Sequence, residues 1–170
     1  MEYSTRHARY DELDLLREIE QDASTLFRGT AHESEITASS LSLDFLTERL
    51  RSDQLWVAAD TDDIPVGFAA ITVIDGLAHL YELSVAPAHG RRGIGKRLVL
   101  AVCEWAKQNG FSAVTLSTYS DIPWNAPFYE RIGFHAINEN DLSQEMLALR
   151  RREAEDGLDI SRRVIMKLPL

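Results

Sequence analysis

Apolar residues along the chain keep two different rhythms, and each predicts its own kind of element. Leu13, Leu16, Ile19, Ala23 and Leu26–Phe27 recur at three- and four-residue steps, which predicts an amphipathic helix. Asp11 and Glu12 suit its start at Tyr10–Asp11, and Arg28–Gly29 suits its end. Thr30 to Ser42 is polar and reads as loop; a second helix is expected from Leu43 to Arg51, capped by Ser42 or Asp44. Compact apolar runs then take over. Leu55–Ala59, Pro65–Ile74 and Leu77–Val85 are separated by Asp60–Asp63 and Asp75–Gly76, which predicts three antiparallel strands joined by tight turns. Ser4–Ala8 predicts an earlier strand. The helical rhythm returns after Gly93 in Ile94, Leu98, Ala101, Val102 and Trp105, and Asn109–Gly110 signals its end. Ala113–Thr118 is a strand again; reached by a helical crossover, it should run parallel to the strand before it. A short helix holding Phe128, Tyr129 and Ile132 should start at Trp124 or Asn125 and stop at Gly133. Phe134–Ile137 predicts a strand, and Asn140–Gly157 a helix with a stripe of Leu142, Met146, Leu149 and Ala154. Arg150–Arg152 reads as the solvated face of that helix, and Arg163–Leu168 as a final strand.

Composition narrows this picture. A chain of 170 residues with 45 % hydrophobic and 26 % charged residues suits one domain, residues 1–170, with a sizeable core. No apolar run reaches the length of a membrane span, and the opening MEYSTRHARYDELD has no secretory apolar core. Cytoplasm is therefore the expected compartment, with no membrane partner. The formal net charge of −9 disfavours nucleic acid as a partner, and it suits attraction of cationic amines or plain solubility. The single cysteine, Cys103, falls within the helix pattern after Gly93 and reads as a small core residue. Against this acidic background the cluster Arg91, Arg92, Lys96 and Arg97 stands out.

Those cations sit where the strand Ala78–Val85 passes through a loop, Ala86–Arg92, into a helix. The first turn of a helix leaves amide groups unpaired and carries partial positive charge. Gly90, Gly93 and Gly95 lack a Cβ, so an anion can approach the backbone closely. Together these features describe a phosphate or diphosphate cradle. Gly90 to Lys96 has the glycine and lysine spacing of a P-loop, but Arg97 stands where the magnesium-binding hydroxyl belongs. Gly93 and Gly95 begin a dinucleotide fingerprint that Leu98 breaks at its third glycine. The run Arg91-Arg92-Gly93-Ile94-Gly95 closely resembles the Gln/Arg-x-x-Gly-x-Gly/Ala loop of the GNAT superfamily of acyl-CoA-dependent N-acetyltransferases, with Gly90 in the Gln/Arg place. Phe128-Tyr129-Glu130-Arg131-Ile132-Gly133-Phe134 resembles the second signature of that superfamily, a helix carrying a Tyr four residues before Gly-Phe. The stretch from Pro123 to Tyr129 (PWNAPFY) resembles its prokaryotic members.

The resemblance implies a mixed α/β (α+β) fold. Its central sheet should have about six to seven strands, antiparallel in its N-terminal part and flanked by helices. It implies acetyl transfer from acetyl-CoA as cosubstrate, with no metal, to a primary amine of a small molecule or peptide in a ternary complex. A non-catalytic acyl-CoA-binding or sensing domain on the same fold is the alternative. A homodimer is compatible with the resemblance. Arg91, Arg92, Gly93, Ile94, Gly95 and Lys96 would then hold the diphosphate, and the main chain of Leu83, Ser84 and Val85 the pantetheine arm. Asn125 would stand in as a CoA contact for an Asn that many relatives carry where this chain has Ile122. Tyr129 is the candidate acid toward the leaving sulfur. His79 and Glu82 are the candidate bases: His79 for its ordinary pKa near neutrality, Glu82 through a water, with a water chain alone as a third arrangement. Their odd spacing puts them on opposite faces of a regular strand, unless the bulge that the resemblance implies intervenes. Phe27 to Ile36 is where acceptor contacts are expected, with Phe27 and Trp124 as candidate aromatic lining.

Overall fold

The computed structural model describes residues 2–38 and 40–170. Its strands are β1 (Ser4–His7), β2 (Leu55–Ala59), β3 (Pro65–Ile74), β4 (Leu77–Val85), β5 (Ala113–Tyr119), β6 (His135–Ala136) and β7 (Arg163–Pro169). They form one seven-stranded sheet in the order β1-β2-β3-β4-β5-β7-β6. The β1–β2, β2–β3, β5–β7 and β6–β7 pairs are antiparallel, while β4 and β5 run parallel, as the helical crossover requires. The α-helices are α1 (Leu13–Ser24), α2 (Glu33–Thr37), α3 (Leu43–Arg51), α4 (Ile94–Gln108), α5 (Ala126–Glu130) and α6 (Gln144–Glu155). The chain divides into two compact units, Met1–Thr72 with Tyr81–Glu104, and Val73–Leu80 with Trp105–Leu170.

In the first unit the front of the helical stripe does what its spacing predicts, but α1 ends at Ser24, Thr25–Phe27 forms a 3₁₀ turn, and Leu26 is exposed. Leu13, Leu16 and Ile19 of α1 and Leu46 of α3 are buried in one cluster with Leu55 and Val57 of β2 and Phe68 and Ala70 of β3. Each such side chain removed from water contributes about 1.5–3 kcal/mol. The Ser42 hydroxyl accepts from the Phe45 amide at 3.1 Å and so caps α3, settling the choice between Ser42 and Asp44. Glu12 does more than favour a helix start. It accepts from the Arg9 amide at 2.7 Å and from the Arg6 guanidinium at 2.6 and 3.1 Å. Arg6 and Arg9 also reach Asp63, at 2.8 and 2.6 Å, which ties β1 to the β2–β3 turn. Burial pushes the Glu12 carboxyl up, but its bonds to Arg6 and the Arg9 amide outweigh that and hold it below the usual range. The predicted loop Thr30–Ser42 needs correction: it contains the short helix α2, whose first residue, Glu33, accepts with its carboxylate from the Gly29 amide at 2.8 Å.

The second unit contains the antiparallel pairing of β5 with β7, from Ala113↔Pro169 to Tyr119↔Arg163. Ile74, Met146, Leu149 and Ile165 form its buried cluster, against which Leu77, Ile137 and Leu142 pack. The expected helix Asn140–Gly157 is shorter. Glu139–Asp141 is a 3₁₀ turn, and Ser143 caps α6 by accepting from the Met146 amide at 3.2 Å. Ala154 is exposed; Glu153 takes the buried place and accepts from Arg163 at 2.9 Å. Arg150 is not part of a solvated face either. Its guanidinium donates to the carbonyls of Ile160 and Arg163 at 2.8 and 3.3 Å, which leaves only Arg151 and Arg152 exposed. The Asp75 amide donates to the Glu145 carboxylate, so α6 also holds the β3–β4 turn.

Candidate functional site

The chain leaves β4 through a tight turn. The Ala86 amide donates to the Val66 carbonyl at 2.9 Å, and Pro87–His89 forms a 3₁₀ turn closed by His89 and Gly90 amides at 2.8 and 3.0 Å. A Cβ on Gly90 would lie 3.1 Å from the Pro87 carbonyl oxygen, so a larger residue there would push that carbonyl by a few tenths of an ångström. Arg91 then takes φ 58° and Gly93 φ 77°, both left-handed. For Arg91 that conformation costs about 1–2 kcal/mol. The two reversals bend the main chain just before α4 begins. Among the described residues none accepts from the amides of Arg91, Gly93, Ile94, Gly95 or Lys96, and the first to bond backwards is Arg97, to the Gly93 carbonyl at 3.1 Å.

The four cations of this loop divide into two pairs. Arg91 and Lys96 extend into solvent. Arg92 donates to the Tyr3 hydroxyl at 3.0 Å and Arg97 to the Tyr3 carbonyl at 2.9 Å. Sequence reasoning placed Arg92 at the ligand and missed Tyr3, which lies far away along the chain.

The end of β4 is prepared by β3. A Cβ at Gly67 would come within 2.9 Å of the Ser84 carbonyl oxygen and 3.1 Å of the Val85 side chain. Only glycine permits that approach without a shift. Leu83 and Val85 are half-buried and Ser84 is buried. The Ser84 hydroxyl donates to the Glu82 carboxylate at 2.8 Å, as residues two apart on one strand face can. A second carboxylate bears on Glu82. Glu20 of α1 accepts from the Leu41 amide at 2.9 and 3.2 Å. Burial pushes Glu20 up to about 7, assisted by the charge of Glu82 and opposed by the Leu41 amide. Sequence reasoning missed Glu20 too. The available signal was a carboxylate one turn beyond Leu16, on the apolar stripe of α1. In the expected acceptor region, Phe27 is half-buried, and His32 is buried with its Nδ1 3.5 Å from Glu35.

The remaining candidates lie in the second unit. His79 is only 3 % exposed, and its Nδ1 is 2.9 Å from the Thr115 hydroxyl on β5. Burial, with a smaller contribution from the Arg163 charge, lowers it to about 4. The ordinary near-neutral pKa that recommended His79 as a base is therefore not the one it has in the fold. Tyr129 is buried, with edge-to-face contacts to Phe128 and Phe134 at 5.0 and 5.8 Å. Its carbonyl accepts from the amides of Ile132, Gly133 and Phe134, so the Gly-Phe after α5 fixes the tyrosine by closing its helix. Asn125 precedes α5. Its carbonyl, not its side chain, accepts from the Phe128 and Tyr129 amides, at 2.9 and 3.2 Å. Ile122 is buried, and Trp124 is exposed. Cys103, on α4, is half-buried with a thiol pushed up to about 11 by burial, the behaviour of a packing residue. Among the described residues, no group of three or more His, Cys, Asp or Glu is disposed to hold a metal ion, and no helix is long and apolar enough to cross a membrane.

Comparison with known proteins bears on the same segment. The PaiA N-acetyltransferase of Thermoplasma acidophilum, solved in complex with coenzyme A, matches the fold with a TM-score of 0.74 at 20 % identity, over 100 % of both chains. In sequence, the chain is 33 % identical over 70 residues to the uncharacterized N-acetyltransferase YobR of Bacillus subtilis, covering 41 % of this chain and 28 % of that protein. It is 36 % identical over 94 residues to N-acetyltransferase family 8 member 3 of Mus musculus, covering 52 % and 41 %. The matched stretches thus span less than half of those relatives. The model of the acetyltransferase (GNAT) family matches residues 13–134, a span that takes in both the loop after β4 and the Tyr129 helix. The chain belongs to the acetyltransferase (GNAT) family.

Proposed function

We propose that this protein transfers an acetyl group from acetyl-CoA to a primary amine of a small molecule or peptide, by direct attack of the amine in a ternary complex. The observation that carries the reading is the set of amides of Arg91, Gly93, Ile94, Gly95 and Lys96, to which none of the described residues is bonded, with the exposed Arg91 and Lys96 side chains beside them. A diphosphate needs donors of that kind, fixed in advance and costing no rearrangement. Gly93, Ile94 and Gly95 supply main-chain donors, and Arg91, Arg92 and Lys96 supply charge. The main chain of Leu83, Ser84 and Val85 pairs with the pantetheine arm as an added strand. Asn125 contributes a further contact to CoA.

In the transfer step the amine nitrogen bonds to the thioester carbon and the carbon–sulfur bond breaks. Tyr129 gives its proton to the departing sulfur, and the amine loses one to a base, leaving an amide and a free thiol. Of the two named bases we assign Glu82. It is half-buried and held by Ser84, whereas His79 at a pKa of about 4 accepts a proton poorly near neutrality. His79 serves by its bond to Thr115, as a support of the β4–β5 pairing.

The test is thiol release from acetyl-CoA across a panel of small amines and peptides, alongside calorimetric titration with CoA. Binding together with amine-dependent thiol release is expected. Binding without release for any amine would replace the enzyme by an acyl-CoA-binding or sensing domain, and no binding at millimolar CoA would reject both.

A further inference from the structure

Two of the four cations around the phosphate loop are occupied, and one residue occupies both. Tyr3, just before β1, is buried. Its hydroxyl receives the Arg92 guanidinium at 3.0 Å and lies 3.0 Å from His89 Nδ1, and its carbonyl receives Arg97 at 2.9 Å. The Tyr3 and His89 rings also meet edge to face, with centroids 5.9 Å apart. The three partners mark the length of the loop: His89 ends its opening 3₁₀ turn, Arg92 sits at its crest, and Arg97 lies in the first turn of α4.

The donors and acceptors form a directed chain. A guanidinium can only donate, so the Tyr3 oxygen accepts from Arg92. The hydroxyl proton is then left for His89 Nδ1, which accepts when the ring proton is on Nε2. Arg92 also reaches back to the Ala88 carbonyl at 3.4 Å, closing the loop on itself. Arg91 meanwhile holds a left-handed conformation that its side chain disfavours, and such a conformation persists only where its surroundings enforce it. The Tyr3 hydroxyl braces the residues on either side of it.

We infer that Tyr3 is a positioning residue for the phosphate loop, its hydroxyl linking His89 and Arg92 so that the amides of Arg91, Gly93, Ile94, Gly95 and Lys96 stand ready for a diphosphate. The ligand side of this inference rests on the proposed acetyl-CoA reading; the bracing itself does not. Tyr3→Phe removes the hydroxyl and keeps both the buried ring and the carbonyl that holds Arg97.

Two measurements on the full chain separate the two parts. In the ligand-free protein, hydrogen exchange at the bonded amides of His89, Gly90 and Arg97 should be faster in Tyr3→Phe than in wild type; unchanged exchange overturns the bracing. With ligand, Tyr3→Phe should weaken CoA binding and raise the KM for acetyl-CoA by about three- to tenfold with kcat unchanged. S-acetyl-pantetheine, which lacks the diphosphate, should be used equally well by both proteins. Equal CoA affinity, or the same loss toward both thioesters, overturns the positioning role. Faster exchange in a protein whose wild type binds no CoA would reject the acetyl-CoA reading and leave the bracing standing. If Tyr3→Phe does not fold, His89→Ala breaks the same chain from its other end and should show the same changes, about two- to threefold in KM; no change there overturns the inference.

Discussion

The loop after β4 and the buried middle of the parallel pairing contrast two ways of building chemistry from a chain. The loop depends on the main chain: its donors are amides, and its side chains are needed for what they lack, at Gly93, or for where they tie down, at Arg92. His79 depends on its side-chain surroundings, and those surroundings change it. Burial takes an imidazole from its ordinary value of 6.5 down to about 4. Main-chain chemistry is local and therefore visible in a short motif. Side-chain chemistry is decided by whatever the fold brings alongside.

Breaking each side of this contrast should give effects of different size and kind. The largest is expected at Tyr129, where the proposed reaction uses the side chain itself. Tyr129→Phe should lower kcat about 100-fold, the low end for removal of a general acid, while CoA affinity stays within about twofold. Steady-state kinetics with calorimetry checks this; equal turnover would remove Tyr129 from the reaction. Gly93→Val comes next. It forces a β-branched residue to φ 77° and should weaken CoA about tenfold or more, read by titration, with the fold retained. Glu153→Ala leaves the Arg163 guanidinium buried beside Ser117 and should lower Tm by several degrees without touching CoA affinity, as calorimetric unfolding will show.

The smallest effects concern pH. Because His79 is lowered in the fold, its neutral form stabilises the protein above the ordinary pKa of 6.5, and that stability is lost as pH falls toward about 4. Tm should drop across that window in wild type and drop less in His79→Gln. Glu20 has the opposite sign. Raised from 4.5 to about 7, it favours the folded state when protonated, so its contribution shrinks as pH rises through that range. Glu20→Gln should flatten that part of the Tm profile.

These same contrasts explain what could be read in advance. The bounds of β2, β3 and β4 are legible because Asp60–Asp63 and Asp75–Gly76 punctuate the apolar runs locally. The start of α6 is not, because Asp141 and Ser143 are both good caps and packing chooses between them. Arg150 reads as solvated until Ile160 and Arg163 come back beside it, and Ala154 reads as core until Glu153 finds Arg163. Within the candidate site, the loop from Gly90 that opens into α4 is legible because backbone conformation follows residue type over a few positions. Tyr3 and Glu20 are not, since their partners at Arg92 and Leu41 lie in other elements.

The central claim is that main-chain amides after β4 receive a diphosphate, and backbone NMR tests it most directly. Titrating the nitrogen-15-labelled protein with CoA, and separately with ADP, should shift the amide resonances of Gly93, Ile94, Gly95 and Lys96 strongly in both cases. Those amides unmoved at saturating CoA, while resonances elsewhere report binding, would contradict the account.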